Sequence, residues 1–159
     1  MKTKLLTAFL ICLFANLFTA QTLVKPAEFK LSSTAALLKT KGYDVLEQTE
    51  TYLKLANKSK SILFMDVDTA KKYILFNVNI SLIEEAGVDK IENLLAEINK
   101  LGMVKAEYID AQNSIGFRYY FWMAGGFTNE TLEDAVAEFY LYQGDAYGLD
   151  KDQIISYQK

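Results

Sequence analysis

Ser114-Ile115-Gly116-Phe117-Arg118-Tyr119-Tyr120-Phe121-Trp122-Met123, broken by Ala124-Gly125-Gly126, is the stretch on which the fold turns. Successive side chains of a strand take opposite faces. Phe117, Tyr119 and Phe121 therefore share one side, and Arg118, Tyr120 and Trp122 share the other. One side has to enter a core. The other presents Arg, Tyr and Trp, the residue types enriched at binding hot spots. Spacing leaves two readings of that second side. Either it is an open interface, or a C-terminal stretch bearing Tyr147, Leu149, Ile154, Ile155 and Tyr157 covers it.

Downstream, the two glycines suit a tight strand-to-helix turn. Thr128 is a good N-cap, with Glu130, Glu133 and Asp134 near the positive end of the following helix. Leu132, Val136, Phe139 and Tyr140 make that helix's apolar stripe. The pattern fades after Gly144, so residues 145–159 are read as either a short helical extension or a mobile tail.

Upstream, Val104–Asp110 forms a second strand, joined to the first through Ala111-Gln112-Asn113. Before it, Val88, Ile91, Leu94, Leu95, Ile98 and Leu101 recur at three- and four-residue steps, an amphipathic helix ended by Gly102. Three strand-like runs, Val45–Ala56, Ser61–Val67 and Tyr73–Ser81, are separated by short polar turns and read as antiparallel hairpins. A first helix within Ala27–Lys41 carries Leu31, Ala35 and Leu38 on one face and stops at Gly42; residues 21–26 form an extended lead. The order α-β-β-β-α-β-β-α implies an α+β fold, one antiparallel sheet with helices packed on one face.

The first twenty residues read as an export signal. Lys2 and Lys4 precede the apolar run Leu5–Leu17, and Thr19-Ala20-Gln21 offers a small-residue exit. Residues 1–20 are thus a signal peptide, 21–144 the domain and 145–159 the C-terminal tail. The run falls short of the roughly 20 apolar residues a spanning helix needs, so no integral membrane segment is expected after cleavage. An uncleaved N-terminal anchor is the alternative. Cys12 lies inside the run rather than after it, which argues against lipidation. The expected location is periplasmic or extracellular.

Losing that segment with its two lysines leaves 15 cations against 20 carboxylates, a balance of −5. Arg118 is the single arginine, so bidentate phosphate recognition is poorly served and no nucleic-acid partner is expected. The remaining chain holds neither Cys nor His. Thiol nucleophiles, Ser-His-Asp relays, and His- or thiolate-ligated metals are thereby excluded. Carboxylate, Lys, Tyr, Ser and Thr chemistry is what stays available.

Leu37-Leu38-Lys39-Thr40-Lys41-Gly42-Tyr43, Ile91–Leu101 ahead of Val104-Lys105-Ala106-Glu107-Tyr108, and Ala124-Gly125-Gly126-Phe127-Thr128-Asn129-Glu130-Thr131-Leu132 follow one another over residues 30–143. In that order and spacing the chain resembles the YbjN domain family of bacterial sensory-transduction regulators, with a type III secretion chaperone-like fold. The resemblance implies a non-enzymatic, often dimeric, protein-binding scaffold, and it brings no catalytic residues. Two departures stand out: the export signal, and Asn99-Lys100-Leu101 where family members often carry a second asparagine.

Asp66 and Asp68, with Asp44 and Glu47, are a weak candidate for a divalent cation, because a calcium loop needs a denser run of oxygens. Glu84-Glu85 and Glu133-Asp134 are read as helix-start charges rather than acid/base pairs. No catalytic, cofactor-binding or metal residues are assigned, and no cofactor is expected. The expectation is a non-catalytic binding module that docks a protein partner of unknown identity, with a homodimer as one arrangement, through a face holding Arg118, Tyr120 and Trp122. The alternatives are a carrier of a small apolar ligand in the cell envelope and a carboxylate-only hydrolase.

Overall fold

The computed structural model describes residues 22–156 other than Thr69 and Lys71. The expected signal peptide and Tyr157 lie outside the described residues. Six strands form one antiparallel sheet: β1 Asp44–Gln48, β2 Tyr52–Ala56, β3 Ile62–Asp68, β4 Tyr73–Ser81, β5 Lys105–Ile109 and β6 Ser114–Trp122. Their spatial order is β1-β2-β3-β4-β6-β5. Helices α1 Leu31–Thr40, α2 Val88–Ile98 and α3 Asn129–Leu149 pack on the sheet, and the α+β layout holds.

The run Val45–Ala56 is two strands rather than one. Thr49 turns the chain: its hydroxyl accepts from the N–H groups of Thr51 (3.2 Å) and Tyr52 (3.0 Å). A local side-chain bond of this kind offers the backbone an alternative to the ladder. The hairpin so formed pairs Val45 with Leu55 and Gln48 with Leu53.

Helix α1 stops as its glycine demands. Gly42 sits at φ +89°, Tyr43 N–H donates to Leu38 O, and Gly42 N–H donates to Lys39 O, both at 3.1 Å. That pair of bonds is the Schellman closure, which favours glycine at the left-handed position. At the other end of the chain Thr128 caps α3 by accepting from Thr131 N–H at 3.1 Å. Glu130 in that first turn is held below the usual carboxylate range by its own backbone N–H and the Thr128 hydroxyl.

Helix α2 ends at Ile98, earlier than Gly102, and Asn99 explains why. Its side-chain amide donates to Ala106 O (3.0 Å) and accepts from Ala106 N–H (2.9 Å). One amide thus stands in for a neighbouring strand along the free side of β5 and blunts an edge that would otherwise invite pairing. Val88 at the start of α2 is exposed rather than part of the buried stripe, which consists of Ile91, Leu94 and Ile98. Glu84 and Glu85 lie in the turn before Gly87, outside the helix, whose first-turn acid is Asp89.

The fading pattern after Gly144 conceals a continuous helix. α3 runs on to Leu149, with Gln143 and Ala146 buried beneath it. The chain then folds back. Asp150, buried, accepts from the N–H groups of Ile154 (2.9 Å) and Ile155 (2.8 Å). Ile83 N–H donates to Ile154 O and Ser156 N–H donates to Ser81 O, so residues 154–156 lie antiparallel beside the end of β4. Both isoleucines are buried. Through Ser156 the tail is docked, not mobile.

The core lies between the helices and the inner face of the sheet. Phe76, Phe117 and Phe139 fill its centre, with Phe139 meeting both other rings edge-on at 6.1 and 5.6 Å. Such aromatic pairs add to what burial alone contributes. Among the described residues no helix is long and apolar enough to cross a membrane.

Candidate docking face

Because β6 alternates, the helices can cover only one of its sides. Phe117 and Phe121 are 0% and 6% exposed, whereas Tyr120 and Trp122 are 44% and 66% exposed. The structure places Arg118, Tyr120 and Trp122 on the outer side, as spacing predicts, and among the described residues nothing covers Tyr120 and Trp122. The described part of the C-terminal segment does not cover that side: Ile154 and Ile155 dock at Leu82 and Ile83, beyond the far end of β4.

Register brings partners to the trio. Tyr73 lies opposite Trp122, Leu75 opposite Tyr120, and Asn77 opposite Arg118. The Tyr73 ring meets Tyr120 at 5.3 Å and Trp122 at 5.8 Å, both edge to face. Tyr73 is therefore a fourth member of the patch, although its strand reads from sequence only as aromatic-rich. Its pairing with Trp122 depends on a register that no local pattern announces.

Toward the middle of the same face the character changes. The Arg118 guanidinium pairs with Glu107 at 2.8 Å, with the arginine side chain one-third exposed. Arg118 Nε is buried without a partner among the described residues. Asn77 donates its amide to Asp66, and Lys54 lies over the Phe64 ring at 5.3 Å. Tyr52 stands against Phe64 at 6.2 Å and donates its hydroxyl to Glu47, which pushes the phenol above its ordinary range. The face is thus an aromatic end formed by Tyr73, Tyr120 and Trp122, bordered by a belt of paired charges.

The candidate cation cluster does not assemble. Asp66 is engaged by Asn77, Asp44 pairs with Lys60 at 2.8 Å, and Glu47 takes the Tyr52 hydroxyl. No group of three metal-ligating side chains occurs among the described residues. Glu133 pairs with Lys41 at 2.6 Å, which raises the lysine above its ordinary range and ties α3 to the end of α1; Glu133 and Asp134 lie past the first turn of α3, whose acid is Glu130. Chemically, the outer face can bury apolar area and satisfy a few polar groups; it does not place two acids around one cleft.

No family model matches the chain, and comparison with curated proteins and with solved structures returns no significant match.

Proposed function

We propose that this protein is an exported, non-catalytic binding module of the YbjN kind, chaperone-like or regulatory, which docks a protein partner through the outer face of its sheet. A second copy is one such partner, giving a homodimer. The observation that carries this reading is the cluster of half-buried Tyr73 with exposed Tyr120 and Trp122 beside the Arg118–Glu107 pair. Exposed tryptophan and tyrosine on a rigid sheet bind with little conformational cost, and a rim of charges sets orientation. The apolar-carrier alternative draws less support, since Phe76, Phe117 and Phe139 fill the space between sheet and helices. The hydrolase alternative draws less support, since the acids that share a cleft, Glu97, Asp150 and Asp152, are engaged by Lys100, by the amides of Ile154 and Ile155, and by Lys90.

The test compares the wild type with Trp122→Ala by light scattering and by native mass spectrometry of the protein purified gently from its own envelope. A dimer, or a complex with a defined second polypeptide, that is lost on substitution while the melting temperature holds supports the reading. A monomer at every concentration, with partner capture unchanged by Trp122→Ala, overturns it.

A further inference from the structure

The outer face is not electrically uniform along its strands. Each outer residue of β6 heads a row of cross-strand neighbours, because directly paired residues share a face. Trp122 stands opposite Tyr73, and Tyr73 opposite Asp68. Tyr120 stands opposite Leu75, and Leu75 opposite Asp66. Arg118 lies between Lys105 and Asn77, and its row continues through Phe64 to Lys54. The two aromatic rows therefore hold carboxylates, and the row beside them holds cations.

Those carboxylates are near the rings, and one of them keeps its charge uncompensated. Neighbouring strands lie about 4.8 Å apart, so Asp66 is one strand from Leu75 and two from Tyr120. Its described partner is the neutral amide of Asn77, and no described cation pairs with it. The cations of the next row are already engaged: Arg118 meets Glu107 at 2.8 Å, and Lys54 stands over Phe64 at 5.3 Å. Among the described residues no cation lies over Tyr73, Tyr120 or Trp122. Beyond residue 20 the chain carries 15 cations against 20 carboxylates.

The rings themselves are crossed rather than stacked. Tyr73 lies at 82° to Tyr120 and at 76° to Trp122. Tyr120 and Trp122 are two residues apart on one strand, about 7 Å between Cα atoms. The face of an aromatic ring carries negative charge density and its edge positive. Rings crossed near right angles turn faces from more than one direction toward the solvent above them, which is how aromatic side chains surround a cation. Arginine suits such a place better than lysine, since its guanidinium is flat, stacks on rings and is less strongly hydrated.

We propose that the aromatic end receives an arginine side chain of the partner protein, laid over Tyr73, Tyr120 and Trp122 with Asp66 as its counter-charge. This partner chemistry belongs to the docking face and rests on its reading as a protein-binding surface. An arginine-bearing segment complements the net negative charge of the chain. A second copy does not supply it, because its one arginine, Arg118, is already paired with Glu107.

Trp122 is the only tryptophan of the chain, so its emission reports on the site directly. The probe is the capped pentapeptide acetyl-Gly-Arg-Gly-Arg-Gly-amide, titrated into the whole protein at low salt, with Trp122 emission and isothermal titration calorimetry as readouts. The control peptide carries citrulline at both arginine positions, which keeps the shape and removes the charge. The expected result is a dissociation constant near about 1 mM with altered Trp122 emission, and at least about fivefold weaker binding of the citrulline peptide. Tyr120→Leu and Trp122→Leu, the second read by calorimetry, keep apolar bulk and remove a ring face; each weakens the arginine peptide about threefold while the melting temperature holds. Asp66→Asn weakens it as well. Equal binding of the two peptides, or no binding up to about 10 mM, overturns the proposal. So does binding that ignores both aromatic substitutions, since that is charge attraction spread over the surface. Failure of the peptide beside an intact Trp122-dependent complex overturns the arginine alone. Absence of any such complex overturns the docking reading, and the arginine partner with it.

Discussion

Within one nine-residue strand, β6 sends Phe117 and Phe121 into the core and Tyr120 and Trp122 into solvent. All four are large aromatics, so residue type does not distinguish the two sides. What differs is the third dimension. On the inner side Phe139 of α3 closes on Phe117 at 5.6 Å, and Phe127 closes on Phe121 at 5.2 Å. On the outer side the cross-strand neighbours are Tyr73 and Leu75, in the same sheet layer. Burial removes apolar area from water on both surfaces of the inner rings, while the outer rings keep one surface wet. The inner side therefore contributes to stability and the outer side is left to contribute to binding.

That contrast can be broken most forcefully at Phe117. Phe117→Ala removes a fully buried ring and leaves a cavity, and about 3–5 kcal/mol of unfolding free energy should be lost, read from the urea midpoint. A loss below about 1 kcal/mol would mean the inner side is not the core it looks to be. The next effect belongs to Asn99. Asn99→Ala strips two hydrogen bonds from Ala106, and about 1–2 kcal/mol should go with it, together with faster amide exchange along β5.

Trp122→Ala sharpens the comparison from the other side. Its ring is 66% exposed and touches Tyr73, so unfolding free energy should fall by no more than about 1 kcal/mol while self-association or partner binding drops. A loss like that of Phe117→Ala would abolish the distinction between the two sides. The smallest change concerns Tyr140, stacked on Tyr43 at 5.7 Å with its hydroxyl buried and without a partner among the described residues. Burial pushes both phenols above their ordinary value of 10. In the fold they hold their protons where the unfolded chain loses them, so their stabilisation is complete below about pH 10 and is lost as pH rises past it. Tyr140→Phe should be neutral or slightly stabilising at neutral pH and should flatten the alkaline decline in the urea midpoint. An unchanged slope would show that the phenol is not buried in solution.

Much of this was legible residue by residue. The stop at Gly42, the cap at Thr128, the buried stripe of α2 and the two sides of β6 follow from spacing and from single residues acting on their nearest neighbours. Other features were not. Thr49 divides a run that alternates well enough to pass for one strand, because the turn is made by a hydroxyl rather than by Gly or Pro. Asp150 looks like an ordinary acid after a helix, yet it holds two amides of a returning segment. Gln143 interrupts the apolar stripe and makes the end of α3 look like fading helix, whereas it reaches Ile62 on a distant strand. Of the candidate face, Arg118, Tyr120 and Trp122 could be placed together from sequence; Tyr73 could not, since it joins them only through the β4–β6 register.

By itself, then, the sequence determined the α+β class, the main buried stripe of each helix, the stop at Gly42 and the cap at Thr128, the absence of Cys and His chemistry beyond residue 20, and which β6 residues share a side. Those depend on helix and strand periods and on composition, which are local. The tertiary structure alone decided that no described residue covers Tyr120 and Trp122 on the outer side of β6, that residues 154–156 dock beside β4, and that β3 leaves β4 after Asn77. Each of these depends on which distant segments compete for the same apolar area or the same row of backbone hydrogen bonds, and that competition is resolved only when the whole chain is packed.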